Sequence, residues 1–283
     1  MSNQKIEQTL KKITRLPTLP TVLAQLSGMV SDPKTSAQDV GEAVGRDQAL
    51  TARLLRLVNS SFYGFRQRIA SIDHAVVILG FNALKNLVFT TSVVQLFPDT
   101  GNGRFDHIAF WEHSIGCAIL ARRLAGQANY PQVEEVFVAG LLHDVGKLVE
   151  DQFLHEEFSQ VMDAVNSGRE LMAEAEEKLL GLSHERIGEL LCEQWNLPSS
   201  VQVPVAHHHR PSSVHEQRIE TTCVHTGDVI CRAMSLGCGG GDAVPVLDED
   251  AWEVLGVPPS ALEPLMDATL EEYEEIADLL AQV

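Results

Sequence analysis

The run Gly140-Leu141-Leu142-His143-Asp144-Val145-Gly146-Lys147-Leu148 decides how the rest of the chain reads. A His and an Asp stand side by side at the end of an apolar stretch, followed by a Gly and a Lys. Imidazole nitrogen and carboxylate oxygen together suit a divalent transition metal better than either alone. Lys147 adds a compact positive charge one turn on, where it can meet a phosphate oxygen. In a chain with 11 histidines and 39 acids, one His-Asp pair carries little weight alone. Its partners on either side decide.

Composition narrows the classes. Of 283 residues, 45% are hydrophobic and 21% charged, the balance of a soluble globular chain with a large core. A net charge of −18 repels nucleic acid and anionic membrane surfaces, so neither is expected as a partner. No apolar run approaches the ~20 residues of a membrane span, and the start, Met1-Ser2-Asn3-Gln4-Lys5, does not read as a signal peptide. The five cysteines (Cys117, Cys192, Cys223, Cys231, Cys238) form no Cys-x-x-Cys pair. They read as reduced, buried thiols of a cytoplasmic protein.

No sustained period-two alternation occurs, and the fold class reads as all-α. Apolar spacing predicts helices over 5–14, from Pro20 to Val30, from Asp47 to Asn59 and over 82–97. Ser36 followed by Asp39 and Ser71 before Ile72 read as helix starts, and Gly80 as a stop. The loop Asp99-Thr100-Gly101-Asn102-Gly103 reads as a boundary. Beyond it helices are expected at about 107–126, 132–142, 151–167, 170–180, 184–195, 199–207 and 217–235. The division expected is a helical lobe over 1–98, a second over 104–237 with the metal site, and an acidic helical tail over 242–283. Cys238-Gly239-Gly240-Gly241-Asp242 reads as flexible. The run Glu271-Glu272-Tyr273-Glu274-Glu275 reads as a solvated helix face.

Other candidate ligands lie along this second lobe. His113 sits in Phe110-Trp111-Glu112-His113, and His184 follows a capping Ser183. His207-His208-His209 close a helix before Pro211, and Asp228 stands among Val, Ile and Cys. Each has a plain alternative. A lone His near an apolar helix is commonly a hydrogen-bonded core residue, three histidines suit a helix C-terminus, and Asp228 can pair with Arg232 one turn on. Taken in order, they supply enough N and O ligands for one or two divalent ions. His113, His143, Asp144 and Asp228 would hold one; Asp144 would bridge to a second held by His184, His208 and His209. The paired histidines can equally be His207 and His208. Such a centre fits iron, manganese, nickel, cobalt or zinc, and suits hydrolysis of a phosphoester or nucleotide with Asp144 and Lys147 as catalytic residues.

This order resembles the HD superfamily of metal-dependent phosphohydrolases. Leu16-Pro17-Thr18-Leu19-Pro20, Leu54-Leu55-Arg56-Leu57-Val58-Asn59-Ser60-Ser61-Phe62-Tyr63, Ile69 to Gly80 and His208-His209-Arg210-Pro211 resemble more narrowly the HDOD (HD-related output domain) family. The likeness covers roughly 14–236. It implies an all-helical fold of two lobes and a bacterial signalling role with a protein partner. Phe62-Tyr63-Gly64-Phe65 and the acidic tail are candidate contact surfaces. Many members of that family lack metal positions that this chain keeps. The Gly-Tyr-Pro of the related HD-GYP phosphodiesterases is missing after the paired His, where Arg210-Pro211-Ser212-Ser213-Val214 stands. The resemblance therefore does not extend to cyclic-di-GMP cleavage. A non-catalytic output or scaffold module is the alternative it leaves open.

Overall fold

Several helix starts in this chain fall where a side chain can satisfy a free amide. Ser36 accepts from the Asp39 N–H while Asp39 accepts from the Ser36 N–H, a reciprocal capping box. Asp47 accepts from the Leu50 N–H, and Ser71 from that of His74, each a one-way cap. The computed structural model describes residues 3–13, 16–30, 34–59, 65, 67–99, 105–168, 170–241 and 243–280. Among these the regular structure is helical and no strand occurs, as the lack of alternation predicts. Phe62, Tyr63 and Gly64, and all of the expected boundary loop except Asp99, lie outside the described residues.

In chain order the helices are α1 (Asn3–Lys12), α2 (Thr21–Val30), α3 (Ala37–Gly45), α4 (Gln48–Val58), α5 (Ile72–Leu79) and α6 (Phe81–Leu96). There follow α7 (His107–Gln127), α8 (Val133–Leu142), α9 (Val145–Phe153), α10 (His155–Asn166) and α11 (Met172–Leu179). The last are α12 (His184–Gln194), α13 (Ser199–His207), α14 (Arg218–Ala233), α15 (Glu249–Leu255) and α16 (Leu262–Leu280). No helix among the described residues is long and apolar enough to cross a membrane.

The chain falls into two compact units, Met1–Leu16 with Asp99–Thr269, and Pro17–Pro98 with Leu270–Val283. This differs from the linear division expected. Helix α1 joins the later unit, where the Thr9 hydroxyl donates to the Leu180 carbonyl at 2.7 Å. Helix α15 packs on α14 instead of forming part of a separate tail. In the unit of 17–98, α4 buries Leu50, Leu54, Leu57 and Val58 on one stripe and packs on α6.

The unit that holds the candidate ligands is built around α7 and α14. Helix α7 buries Ile115, Cys117, Ala118, Ile119, Leu120 and Ala121 in succession, so it is apolar all round and packs on both α8 and α14. Helix α14 buries Glu220 through Cys231 without a break. Four cysteines are buried free thiols and Cys238 is a half-buried one.

One helix escapes the sequence reading. Residues 145–153 form α9, where the expected helix began only at 151. His143 keeps helical dihedrals and Asp144 departs from them (φ −100°, ψ 6°), so the chain kinks between α8 and α9.

Candidate metal centre

Each candidate ligand is brought in by a different helix end or face. His113 comes from the middle of α7, and His143 with Asp144 from the α8–α9 kink. His184 opens α12, His208 and His209 follow the last residue of α13, and Asp228 projects from α14. Asp144, His184, His208 and His209 form one group of donor atoms within 4.8 Å of one another; His113, His143 and Asp228 form a second. His208 and His209, not His207, are the pair that joins the cluster.

Asp144 stands between the groups. Its Oδ1 lies 3.2 Å from His184 Nε2 and 3.6 Å from His208 Nε2. Its Oδ2 lies 3.3 Å from His143 Nε2 and 3.8 Å from His113 Nε2. Asp228 Oδ1 approaches His113 Nε2 at 3.1 Å and His143 Nε2 at 3.7 Å. These spacings match ligand atoms around a first-row ion, which stand roughly 3 Å apart when bonds are ~2.0–2.2 Å.

The imidazoles are held with Nε2 inward. His143 Nδ1 is 2.7 Å from the Gly140 carbonyl and His208 Nδ1 3.0 Å from that of Val205. His184 Nδ1 is 2.7 Å from Glu176 Oε2. In a neutral imidazole an acceptor at Nδ1 takes the proton and leaves Nε2 with a lone pair. His113 Nε2, His143 Nε2, His208 Nε2, Asp144 Oδ1 and Asp228 Oδ2 are all buried and none finds hydrogen-bond geometry. A buried polar atom without a partner costs about 1–3 kcal/mol. Five such atoms, with two ionised carboxylates among their residues, form the pattern a cation resolves. The residues present fit a divalent metal centre.

Electrostatics agree. Burial disfavours both carboxylates, but His143 and Lys147 hold Asp144, and Arg232 and His113 hold Asp228, well below the usual range, so both are ionised. Burial depresses His113, His208 and His209, the last also through His208 and His184, keeping them neutral. Burial opposes the His143 cation too, yet neighbouring Asp144 outweighs it and lifts His143 well above the ordinary imidazole range. An ion entering that corner therefore displaces a proton.

Two expected roles look different in place. Lys147 is fully buried, donating to Asp144 Oδ2 at 2.6 Å and to the Gly239 carbonyl at 2.7 Å. The phosphate contact expected of it is not available in this arrangement. Arg232 makes the anticipated pair with Asp228, Nε to Oδ1 at 2.7 Å, and also reaches Asp144 Oδ2 at 3.5 Å. Its side chain is 11% exposed against 1% for Lys147. Ser183 holds the position before α12 but does not cap it; its hydroxyl turns to Glu185, and the His184 N–H is given to Glu176 instead.

Of the stretch 238–242, read as flexible, the described residues 238–241 form a strap across this pocket. The Cys238 N–H donates to the Ala109 carbonyl at 2.8 Å, and Arg232 Nη1 donates to the Gly241 carbonyl at 3.4 Å. A Cβ on Gly239 would sit 2.9 Å from Asp144 Oδ2 and 2.7 Å from Arg232 Nη2, so only glycine lets the backbone come this close. The reading also missed Glu150 and Glu176, both fully buried. Their only sequence signal was the apolar Leu148-Val149 beside one and Ala175 beside the other. Acids on helices ordinarily face water.

The HDOD domain family matches residues 16–211. An HDOD domain protein of unknown function from Geobacter sulfurreducens shares 30% identity and a TM-score of 0.84, covering 98% of this chain and 97% of that one. A protein from Shewanella amazonensis SB2B described as a "Putative phosphohydrolase" shares 26% with a TM-score of 0.76, covering 96% and 97%. Among curated proteins, an uncharacterised one from Treponema pallidum (strain Nichols) is 25% identical over 200 residues, 70% of this chain. YuxH of Bacillus subtilis (strain 168), also uncharacterised, is 26% identical over 138 residues, 49% of this chain. The matches span 38% and 32% of those two relatives' own lengths. The family match covers more than half of the chain, and the chain belongs to the HDOD domain family.

Proposed function

We propose that this protein is a metal-dependent phosphohydrolase of bacterial signalling, acting on a phosphoester or nucleotide with one or two divalent ions bound. The observation that carries the reading is the pair of buried His and Asp groups that separate helices bring together, with five of their ligand atoms lacking a hydrogen-bond partner. The name borne by the Shewanella relative lends support. His184, His208 and His209 would hold one ion and His113, His143 and Asp228 the other, with Asp144 shared. Iron, manganese, nickel, cobalt and zinc all suit that donor set. A bound ion supplies a Lewis acid for phosphate oxygens and a more acidic water. The chain's own share is positional. Lys147 fixes Asp144 through its buried pair, and Arg232, the more exposed cation, is the one placed to meet a phosphate.

A non-catalytic output module engaging a signalling partner is the competing reading. It is favoured by burial, since six of the seven donor residues are 0–1% exposed and His209 alone is half-buried. One experiment separates the two. Elemental analysis of untagged protein should find one or two equivalents of a transition metal, and Asp144→Ala should lose both, because both groups share that carboxylate. The loaded protein should then cleave a chromogenic phosphodiester. Metal without turnover on phosphoesters and nucleotides would support the output module; no metal after anaerobic reconstitution would remove the centre altogether.

A further inference from the structure

The oxygen that fixes His184 is itself buried beside a second acid. Glu176 Oε2 accepts from the His184 backbone N–H at 2.8 Å and lies 2.7 Å from its Nδ1. One carboxylate oxygen thus holds both ends of the residue that opens α12. Glu176 is fully buried in α11, and its Oε1 has no hydrogen-bond partner. Glu150 of α9, also fully buried, has neither oxygen hydrogen-bonded. The other fixed imidazoles, His143 and His208, use neutral backbone carbonyls for the same task. His184 alone has an acid behind it, in a place where burying a charge is costly unless it is used. A carboxylate at Nδ1 makes Nε2 a more basic donor than a carbonyl does and locks the ring orientation.

We infer that Glu176 is a positioning residue for the metal group Asp144, His184, His208 and His209, holding His184 with Nδ1 protonated and Nε2 bare. This rests on the metal-centre reading above, and the test is arranged to fail separately from it. Long-range nitrogen–proton NMR on metal-free protein labelled in histidine, with His184 assigned through His184→Gln, should show the Nδ1–H tautomer in the parent chain. Glu176→Leu should convert that signal to a mixture or to Nε2–H. Glu176→Gln, which keeps an acceptor oxygen without the charge, should retain the tautomer and serves if the leucine variant does not fold.

Titration with Co(II) alone then reads the consequence. Glu176→Leu should weaken one binding phase about 10- to 100-fold and leave the phase of His113, His143 and Asp228 within a factor of two or so, with Glu176→Gln between parent and leucine. An Nε2–H tautomer in the parent chain, or a leucine variant that is folded and unchanged in both tautomer and Co(II) affinity, overturns the inference. Equal weakening of both phases does too, since it marks a general structural role. A correct tautomer that responds to substitution in a chain that binds no Co(II) upholds the positioning role and sinks the metal-centre reading instead.

Discussion

Glu150 is a fully buried carboxyl group with an anionic neighbour. Burial, then the charge of Glu176, raises it well above the ordinary carboxylate range, while Glu176 itself is lowered because His184 outweighs its burial. Glu150 is therefore neutral in the folded chain and ionised in the unfolded one above about pH 4.5. Unfolding releases a proton, and stability contributed below that pH is lost as pH rises toward the folded value, by up to about 1.4 kcal/mol per unit. Glu150→Gln should flatten this slope and be more stable than the parent near pH 7–8. Urea unfolding at several pH values checks it; parallel curves for both proteins would show that Glu150 is not held neutral. The histidines and Asp228 were legible in the sequence because polar rings and a carboxylate amid Val, Ile and Cys are conspicuous. Glu150 and Glu176 were not, because acidic residues in helical stretches ordinarily mark the wet face. Nothing local in sequence distinguishes a Glu that turns inward.

At the scale of elements, the caps and stops were legible where one side chain acts on its own neighbours, as at Ser36, Ser71 and Gly80. Helix α9 and the role of Ser183 were not, since each depends on a distant segment. Gly146 explains why. Placed in the first turn of α9, it reads as a breaker, yet a Cβ there would lie 2.0 Å from the His184 carbonyl oxygen. The glycine is where α9 rests against the start of α12, and contact between those helices sets Asp144 opposite His184. Gly146→Ala should cost about 1–3 kcal/mol of stability through overpacking. It should also impair metal binding at the group of Asp144 and His184 more than at His113 and Asp228. Denaturant midpoints with metal titration read both effects; a fully stable alanine variant would mean that the helices separate without penalty.

Across the whole molecule, the all-α class followed from the sequence, but the grouping of segments did not, because α1 joins a unit whose remainder begins at Asp99. All three tryptophans, Trp111, Trp195 and Trp252, lie in the metal-centre unit. Tryptophan emission therefore reports on that unit selectively. An ion at one hundred times its Kd adds about 2.7 kcal/mol to a folded state that alone binds it. The emission-detected melting temperature should rise by roughly 5–10 °C on metal addition, and Asp144→Ala should abolish the rise. An equal shift in that variant would place the ion elsewhere.

The strap over the pocket sets a clock as well as a boundary. Its carbonyls hold Lys147 and Arg232, and its amide at 238 is tied to α7. Were an ion held beneath it, its residence time would be set by how often those bonds open. Release into a chelator should then reach a rate ceiling as chelator is raised, a local opening on the microsecond-to-second scale. Stopped-flow release that keeps rising in proportion to chelator would mean the ion leaves by another door.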